Sequence, residues 1–290
     1  FFFKQKTAYE IMPSLGLGDV YKRQALRQAG QVGRVLGVGR NASSLARAVE
    51  LGLIDEAVSA EDAAARADLV LLSTPVGGLK NVLARMLPHL GAATVLTDAG
   101  STKAEVVQAA REALAGSIGR FVPGHPIAGA ERTGPDAADP GLYRGRTVIL
   151  TPLAENSVQS VDLVRRAWQA CGASVIDMDA GSHDRLLASV SHLPHLLSAV
   201  YMEQVATAAD ARTRLDLAGS GFRDFTRIAA GSPEMWRDIF LSNRDAMLAE
   251  LADVRAVLDR AERAIADGDD AALLALLETA AEARRNWRKE

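Results

Sequence analysis

Residues 68–74 read DLVLLST, with Pro75 immediately after them. A run that is apolar at consecutive positions, not alternate ones, suits a strand buried on both faces of a parallel sheet. Pro75 stands where a helix would begin, because the N–H it lacks is one that a helix start leaves unbonded. Working outward in both directions, the same strand–helix alternation recurs. Arg34 to Gly39 reads as a short apolar strand and Ser43 to Leu51 as a helix stopped by Gly52. Thr94 to Asp98 is a strand, Ser101 to Leu114 a helix, and Arg120 to Val122 a strand. Thr147 to Leu150, a helix from Glu155 to Ala170, and Ser174 to Met178 complete the series. This spacing predicts a parallel sheet covered on both faces, with ligands outside the carboxyl ends of its strands.

After Asp179 the strand signal stops. Helical segments are expected over His183–Ala209, Thr213–Ala230, Pro233–Ala266 and Asp270–Arg285. Leu251, Val254, Leu258 and Ile265 keep helical spacing, as do Leu273, Leu274 and Leu277. The domain boundary falls near Ala180. The fold class is therefore an α/β Rossmann-type dinucleotide-binding domain over 25–180, followed by an all-α substrate and dimerisation domain over 181–290. Long apolar stripes serve a homodimer or a monomer's core equally well; a homodimer is the expectation.

The first 24 residues, FFFKQKTAYEIMPSLGLGDVYKRQ, concentrate Phe, Lys, Gln and Tyr without a period, unlike the Ala-, Leu- and Arg-rich remainder. They resemble translated sequencing-adapter sequence and read as a non-native segment; a divergent native extension is the alternative. Ala25 to Ala29 reads as a helix end closed by Gly30. A dinucleotide site needs a glycine-rich turn after a first strand. Gly16-Leu17-Gly18, with Tyr21 where a third glycine belongs, is a poor match. Pro13 interrupts the run before it, so the first strand and its turn are expected to be missing.

The bulk properties are those of a globular protein: 48% hydrophobic and 24% charged residues over 290 positions. A formal charge of -3 gives no basic surface for nucleic acid. No apolar run has the length of a membrane span, and no signal peptide is evident. The lone Cys171 fits a reducing compartment, so a cytoplasmic location is expected.

Chemistry is concentrated in a few short motifs. His125 sits between Gly124 and Pro126, which push it toward extended backbone. Imidazole suits proton transfer near neutral pH; a loop histidine bonded to its neighbours is the plainer reading. Ser191-His192-Leu193-Pro194-His195 sets two histidines on one helical face, and Pro194 should kink that helix and free a carbonyl. No thiolate or carboxylate stands near them at ligand spacing, so no metal is expected. His183 precedes Asp184, and four of the five histidines fall within these motifs. Arg227 follows the glycine-rich GSGFRDFT and suits a carboxylate clamp or a surface ion pair. At strand ends, Arg40 beside Asn41 favours NADP over NAD, since no acidic residue stands there for the ribose hydroxyls. Ser73-Thr74-Pro75 and the loop from Asp98 to Lys103 are helix caps or cofactor contacts.

Taken together, DAGSTK (98–103), GHPIAGAERTG (124–134), LTP (150–152), HDRLLASVSHLPHLL (183–197), GFRDFTRIA (221–229) and PEMWRDIF (233–240) resemble the prephenate dehydrogenase family of tyrosine biosynthesis. That family includes arogenate and cyclohexadienyl dehydrogenases. The resemblance implies oxidative decarboxylation of prephenate to 4-hydroxyphenylpyruvate, with hydride transfer to NAD or NADP. It implies that His125 takes the proton of the substrate's ring hydroxyl and that Ser101 orients His125 beside the nicotinamide. Arg227 is implied as the carboxylate clamp, with Asp224 and Glu131 as its ionic partners. His183, Ser191, His192 and His195 would line the pocket, and Trp236 would reach toward the partner subunit's site. Arg40, Asn41, Ser73, Thr74, Pro75 and Ser101 would contact cofactor. Ala130 departs from the hydroxyl residue common at its place.

Arogenate is the alternative substrate. Hydroxy-acid dehydrogenases of similar build would carry an acid/base lysine in the helical half, and none lies between Asp179 and Lys289. A ligand-binding dimer without activity is the reading from a different class, favoured if the cofactor turn is truly absent.

Overall fold

A computed structural model describes residues 8–9, 33–128, 135–137, 139 and 141–287. Its strands are β1 (Ala8–Tyr9), β2 (Arg34–Gly37), β3 (Glu56–Ala57), β4 (Leu69–Leu72), β5 (Val95–Asp98), β6 (Phe121–Val122), β7 (Gly124–Pro126), β8 (Thr147–Leu150) and β9 (Ser174–Asp177). The first six form one sheet in the order β3-β2-β1-β4-β5-β6, and every neighbouring pair in it is parallel. This is the doubly wound order, with its reversal point between β1 and β4.

The strand DLVLLST is the middle of that sheet. All four residues of β4 are buried. Val70 and Leu72 pack with Leu79 and Leu83 on one face. Leu69 and Leu71 pack with Val95, Val164 and Trp168 on the other. Alternate side chains of one apolar run thus fill two separate cores, as the consecutive pattern requires.

Two expectations need correction. The place of the first strand is filled: Tyr9 pairs with Val35 on one side and Leu69 on the other. Two residues suffice to bridge the ladders, a length too short to show a period in sequence. Gly16 to Gly18, Tyr21 and the helix end at 25–29 lie outside the described residues. Second, Thr147–Leu150 and Ser174–Asp177 do not extend the main sheet. They form a separate three-stranded sheet in which β7 runs antiparallel to β8 and β9 parallel to it. Pro123, which cannot donate to a ladder, stands at the break, and its carbonyl accepts from Thr151 N at 3.0 Å. After it the chain leaves β6 and pairs Gly124, His125 and Pro126 with Leu150, Ile149 and Val148. A short strand at Glu56–Ala57 and a helix at Ala60–Arg66, capped by Ser59, were not foreseen.

Beyond Asp179 no strand occurs among the described residues. The helices run Ala180–Leu187, Leu193–Ala206, Ala211–Asp216, Ser220–Thr226, Pro233–Ser242, Arg244–Asp267 and Asp270–Asn286. The three longest helices expected from sequence are therefore each divided. Asn243 separates the Pro233 and Arg244 helices. Residues 188–192 form a single wide π-turn ahead of Pro194, in which Leu193 N–H reaches back to Ala188 O. Gly268 closes the long Arg244 helix in the left-handed conformation (φ 65°) that glycine adopts without strain. Ser242 Oγ meets Thr102 Oγ1 at 3.0 Å, tying the helical half to the nucleotide-binding half beside the DAGSTK loop.

Candidate active site

His125 lies on β7 at the seam of the two halves. Its placement depends on a buried pair, Lys103 and Asp98, which the sequence places only in a loop of helix caps or cofactor contacts. Lys103 has no exposed surface, and its ammonium group is hydrogen-bonded to Asp98 and to Gly124 O, the latter at 2.9 Å. Asp98 Oδ1 accepts from Gly124 N at 2.9 Å, so both backbone groups of Gly124 are held by one ion pair. Burial pulls the Lys103 pKa below its ordinary value, against the charges of Asp98 and Asp184, which favour the ammonium form. The lysine had been quoted only as the last residue of DAGSTK; a charged side chain in a loop gives no sequence signal that it turns inward.

The ring of His125 is bonded to a second histidine. Its Nδ1 lies 2.9 Å from His183 Nε2, and the rings meet edge to face with centroids 5.1 Å apart. His183 Nδ1 in turn lies 2.7 Å from Asp184 Oδ1. Asp184 completes the set from the far side by accepting from Lys103 N at 2.7 Å and Ala104 N at 2.8 Å. It therefore caps the Ala104–Leu114 helix from the other domain, a task the sequence reading had left to the loop's own Ser and Thr. Burial works to raise the Asp184 pKa, but the bonds from His183 and the two amides outweigh it and hold the carboxyl below its usual range. The His125 pKa is pushed well below its ordinary 6.5, by burial first and then by His183, Lys103 and His192. Its Nε2 makes no bond to the protein among the described residues.

The expected bond from Ser101 to His125 is not formed. Ser101 is half-buried in the loop, and His183 holds the His125 ring instead. A second site residue missed in sequence is Asn243. Its amide donates to Asp184 O at 2.8 Å and meets His192 Nδ1 at 3.1 Å. His192 is buried, with a pKa lowered to about 4 chiefly by burial, and its Nε2 has no partner among the described residues.

His183 and His192 are nine residues apart, about two and a half turns of α-helix, which would set them on opposite faces. The π-turn absorbs one extra residue and restores a common face. Ser191 O accepts from His195 Nδ1 at 2.9 Å. Ser191 itself is half-buried. His195 stacks on Trp236, centroids 3.6 Å apart and planes 24° from parallel. These two, with Ile228, Arg237, Phe240 and Leu241, line a cleft of about 470 Å³. Gly231 permits this packing, because a Cβ there would stand 2.6 Å from Trp236 Nε1. Trp236 thus packs first within its own chain.

Arg227 is exposed at the start of a 3-10 turn over Arg227–Ala230. Its charge acts on His195, whose pKa is lowered by burial first and by Arg227 as well, against the bond to Ser191. Asp224 is exposed one turn earlier and makes no ion pair with Arg227 among the described residues. Glu131 and Ala130 lie outside the described residues.

At the nucleotide end, Arg40 is exposed at the carboxyl end of β2, and Asn41 caps the Ala42–Glu50 helix by accepting from Ser43 N and Ser44 N. The loop after β4 fits a ligand better than a cap. Among the described residues, the Val76–Met86 helix starts at Pro75 without a side-chain cap, Thr74 Oγ1 is buried without a partner, and a Cβ on Gly77 would meet nothing within 4 Å. Open helix amides, an unsatisfied hydroxyl and free space are what a dinucleotide's polar groups require. Arg40, Ser73, Thr74, Pro75 and Ser101 would hold it.

A doubly wound domain joined to a helical one, with a histidine presented at their seam, defines a two-domain dehydrogenase. Residues 23–177 match the family model for the prephenate dehydrogenase nucleotide-binding domain, and residues 179–279 match that for its dimerization domain. The chain belongs to the prephenate dehydrogenase family. It is 38% identical over 232 residues to the cyclohexadienyl dehydrogenase of Zymomonas mobilis, covering 77% of each chain. The crystal structure of prephenate dehydrogenase from Aquifex aeolicus with hydroxyphenyl propionate and NAD+ superposes with a TM-score of 0.89 at 32% identity, covering 96% of this chain and 97% of that one. Synechocystis arogenate dehydrogenase gives 0.81 at 28% identity, covering 97% of this chain and all of the other.

Proposed function

We propose that the protein oxidatively decarboxylates prephenate to 4-hydroxyphenylpyruvate in tyrosine biosynthesis, as a homodimer in the cytoplasm, with NADP or NAD as hydride acceptor. The observation that carries this reading is His125: buried, held through Nδ1, and left with Nε2 open toward a ligand. The nicotinamide cofactor, when bound, takes up the hydride from the hydroxyl-bearing ring carbon. His125 is neutral at physiological pH because burial and neighbouring positive charge disfavour imidazolium. A neutral Nε2 accepts the hydroxyl proton as that carbon becomes a carbonyl. Loss of carbon dioxide then aromatises the ring, with no metal needed for the step. Arg227 supplies a guanidinium for a substrate carboxylate, and His192 offers an unpartnered ring nitrogen beside the same pocket.

The test gives the chain, and a variant with residues 1–24 replaced by a strand and a G-x-G-x-x-G turn, prephenate or arogenate with NAD or NADP. Cofactor reduction is followed by absorbance. Reduction with prephenate supports the reading, and preference for arogenate moves the protein to its sister activity, which the likeness to the Synechocystis enzyme favours as the second choice. No reduction by either folded dimer would leave a ligand-binding protein.

A further inference from the structure

We infer that Asp184, acting through His183, dictates which nitrogen of His125 carries a proton, and so makes His125 an obligatory hydrogen-bond acceptor toward the substrate. This rests on the reading of His125 as the proton acceptor and adds two positioning residues to it.

The argument starts at the buried anion. Asp184 accepts from the amides of Lys103 and Ala104, and an ionised carboxylate can only accept. His183 Nδ1, at 2.7 Å from it, therefore bears a proton. A neutral imidazole has one N–H, so His183 Nε2 is a lone pair. His125 Nδ1, 2.9 Å away, must then be the donor in that contact. The proton of His125 is thereby placed on Nδ1, and Nε2 is left as the acceptor. Each step follows from the one before while Asp184 is ionised and His183 carries a single proton.

When the substrate hydroxyl gives up its proton, the O–H bond breaks and a bond to His125 Nε2 forms. The Nδ1 proton stays where it is, so nothing needs to move onto His183. The imidazolium so formed faces Lys103 and Asp98 from the DAGSTK loop, His183 and Asp184 from the Ala180–Leu187 helix, and His192 from the π-turn. Lys103 opposes the new charge and Asp98 offsets Lys103. Asp184 is the anion left to favour it, reached through one polarisable ring and inside a site where charges are weakly screened.

Histidine side-chain nitrogen NMR on 15N-labelled protein reads the arrangement directly, with the His125 signals identified by their loss in His125→Asn. Near neutral pH the expected spectrum has His125 Nδ1 protonated and Nε2 bare. His183→Gln keeps an oxygen acceptor near the place of Nε2, so the same tautomer and turnover within about tenfold of the parent are expected. His183→Leu removes the acceptor: the Nδ1 preference should disappear and kcat fall about 10²–10⁴-fold, the range for one lost acid–base contribution, with KM little changed. A parent protein with Nδ1 bare and Nε2 protonated, or a leucine variant that keeps its turnover, overturns the inference. Should the leucine variant fail to fold, the parent spectrum decides alone. The expected tautomer in a protein that reduces no cofactor with prephenate would leave the relay standing and remove only the assigned substrate.

Discussion

Lys103 and Asp98 meet out of reach of solvent, and together they hold the amide and the carbonyl of Gly124, the residue before His125. His125 is thus positioned by its backbone as well as by its ring. Lys103→Met would leave Asp98 buried without its cation, which costs about 3–5 kcal/mol in comparable pairs. Denaturant unfolding should show a loss of that order, while the double change with Asp98→Asn should recover part of it. Equal stability of Lys103→Met and the parent would refute the structural weight given to this pair.

His125→Asn should lower kcat about 10²–10⁴-fold with substrate affinity largely kept, because only the proton acceptor is lost. Arg227→Ala should act mainly on KM. Steady-state kinetics on both variants separate the two roles. A fall in affinity as large as the fall in turnover for His125→Asn would sink the acceptor role, and an unchanged KM for Arg227→Ala would sink the clamp.

Gly231→Ala would place a methyl 2.6 Å from the indole nitrogen of Trp236, so the ring must leave its stack on His195. A cost of about 1–3 kcal/mol is expected from such overpacking. Raised KM with a shifted tryptophan emission would accompany it. Unaltered emission and KM would show that the stack is not needed for the pocket.

Stability should fall as the medium is acidified from about pH 6.5 to about pH 4. The His192 imidazole titrates at about 4 in the folded chain against an ordinary value of 6.5, so the unfolded chain binds more protons across that window. Stability then rises with pH through it and is lost in the opposite direction. Burial lowers His125 in the same sense. The paired carboxylates Asp184 and Glu56 are held below their ordinary 3.8 and 4.5, so their losses begin lower on the scale. A melting temperature constant between pH 6.5 and pH 4 would contradict this.

Arg40→Ala should weaken NADP and spare NAD, since only the former carries a phosphate for the guanidinium. A loss of about tenfold in KM for NADP matches one charged hydrogen bond. Equal effects on both cofactors would place Arg40 outside the nucleotide site.

The nucleotide-binding half was legible because β4 and its neighbours are apolar runs of ordinary length, and the family motifs marked His125 and Arg227. What escaped sequence was decided in three dimensions. Lys103 and Asp98 look like polar loop residues until the fold turns them inward. Asn243 interrupts what reads as one long helix, and its contact with His192 spans 51 positions. Ser101 was assigned the orienting bond by resemblance, yet His183 makes it, and no spacing reports which of two polar neighbours faces a ring. The separate sheet of β7, β8 and β9 depends on which strands pair across long stretches of chain, and the apolar runs at 147–150 and 174–177 do not report that.

The wide turn at Ala188–His192 has a consequence for length, as distinct from composition. An extra residue housed in one turn can be deleted without disturbing the helix on either side, which would simply close into regular geometry. The fold would tolerate such a shortening, and His192 would keep the face it shares with His183. In this stretch the wide turn takes up a surplus in residue count, so residues on either side face the site as they would in a regular helix one residue shorter.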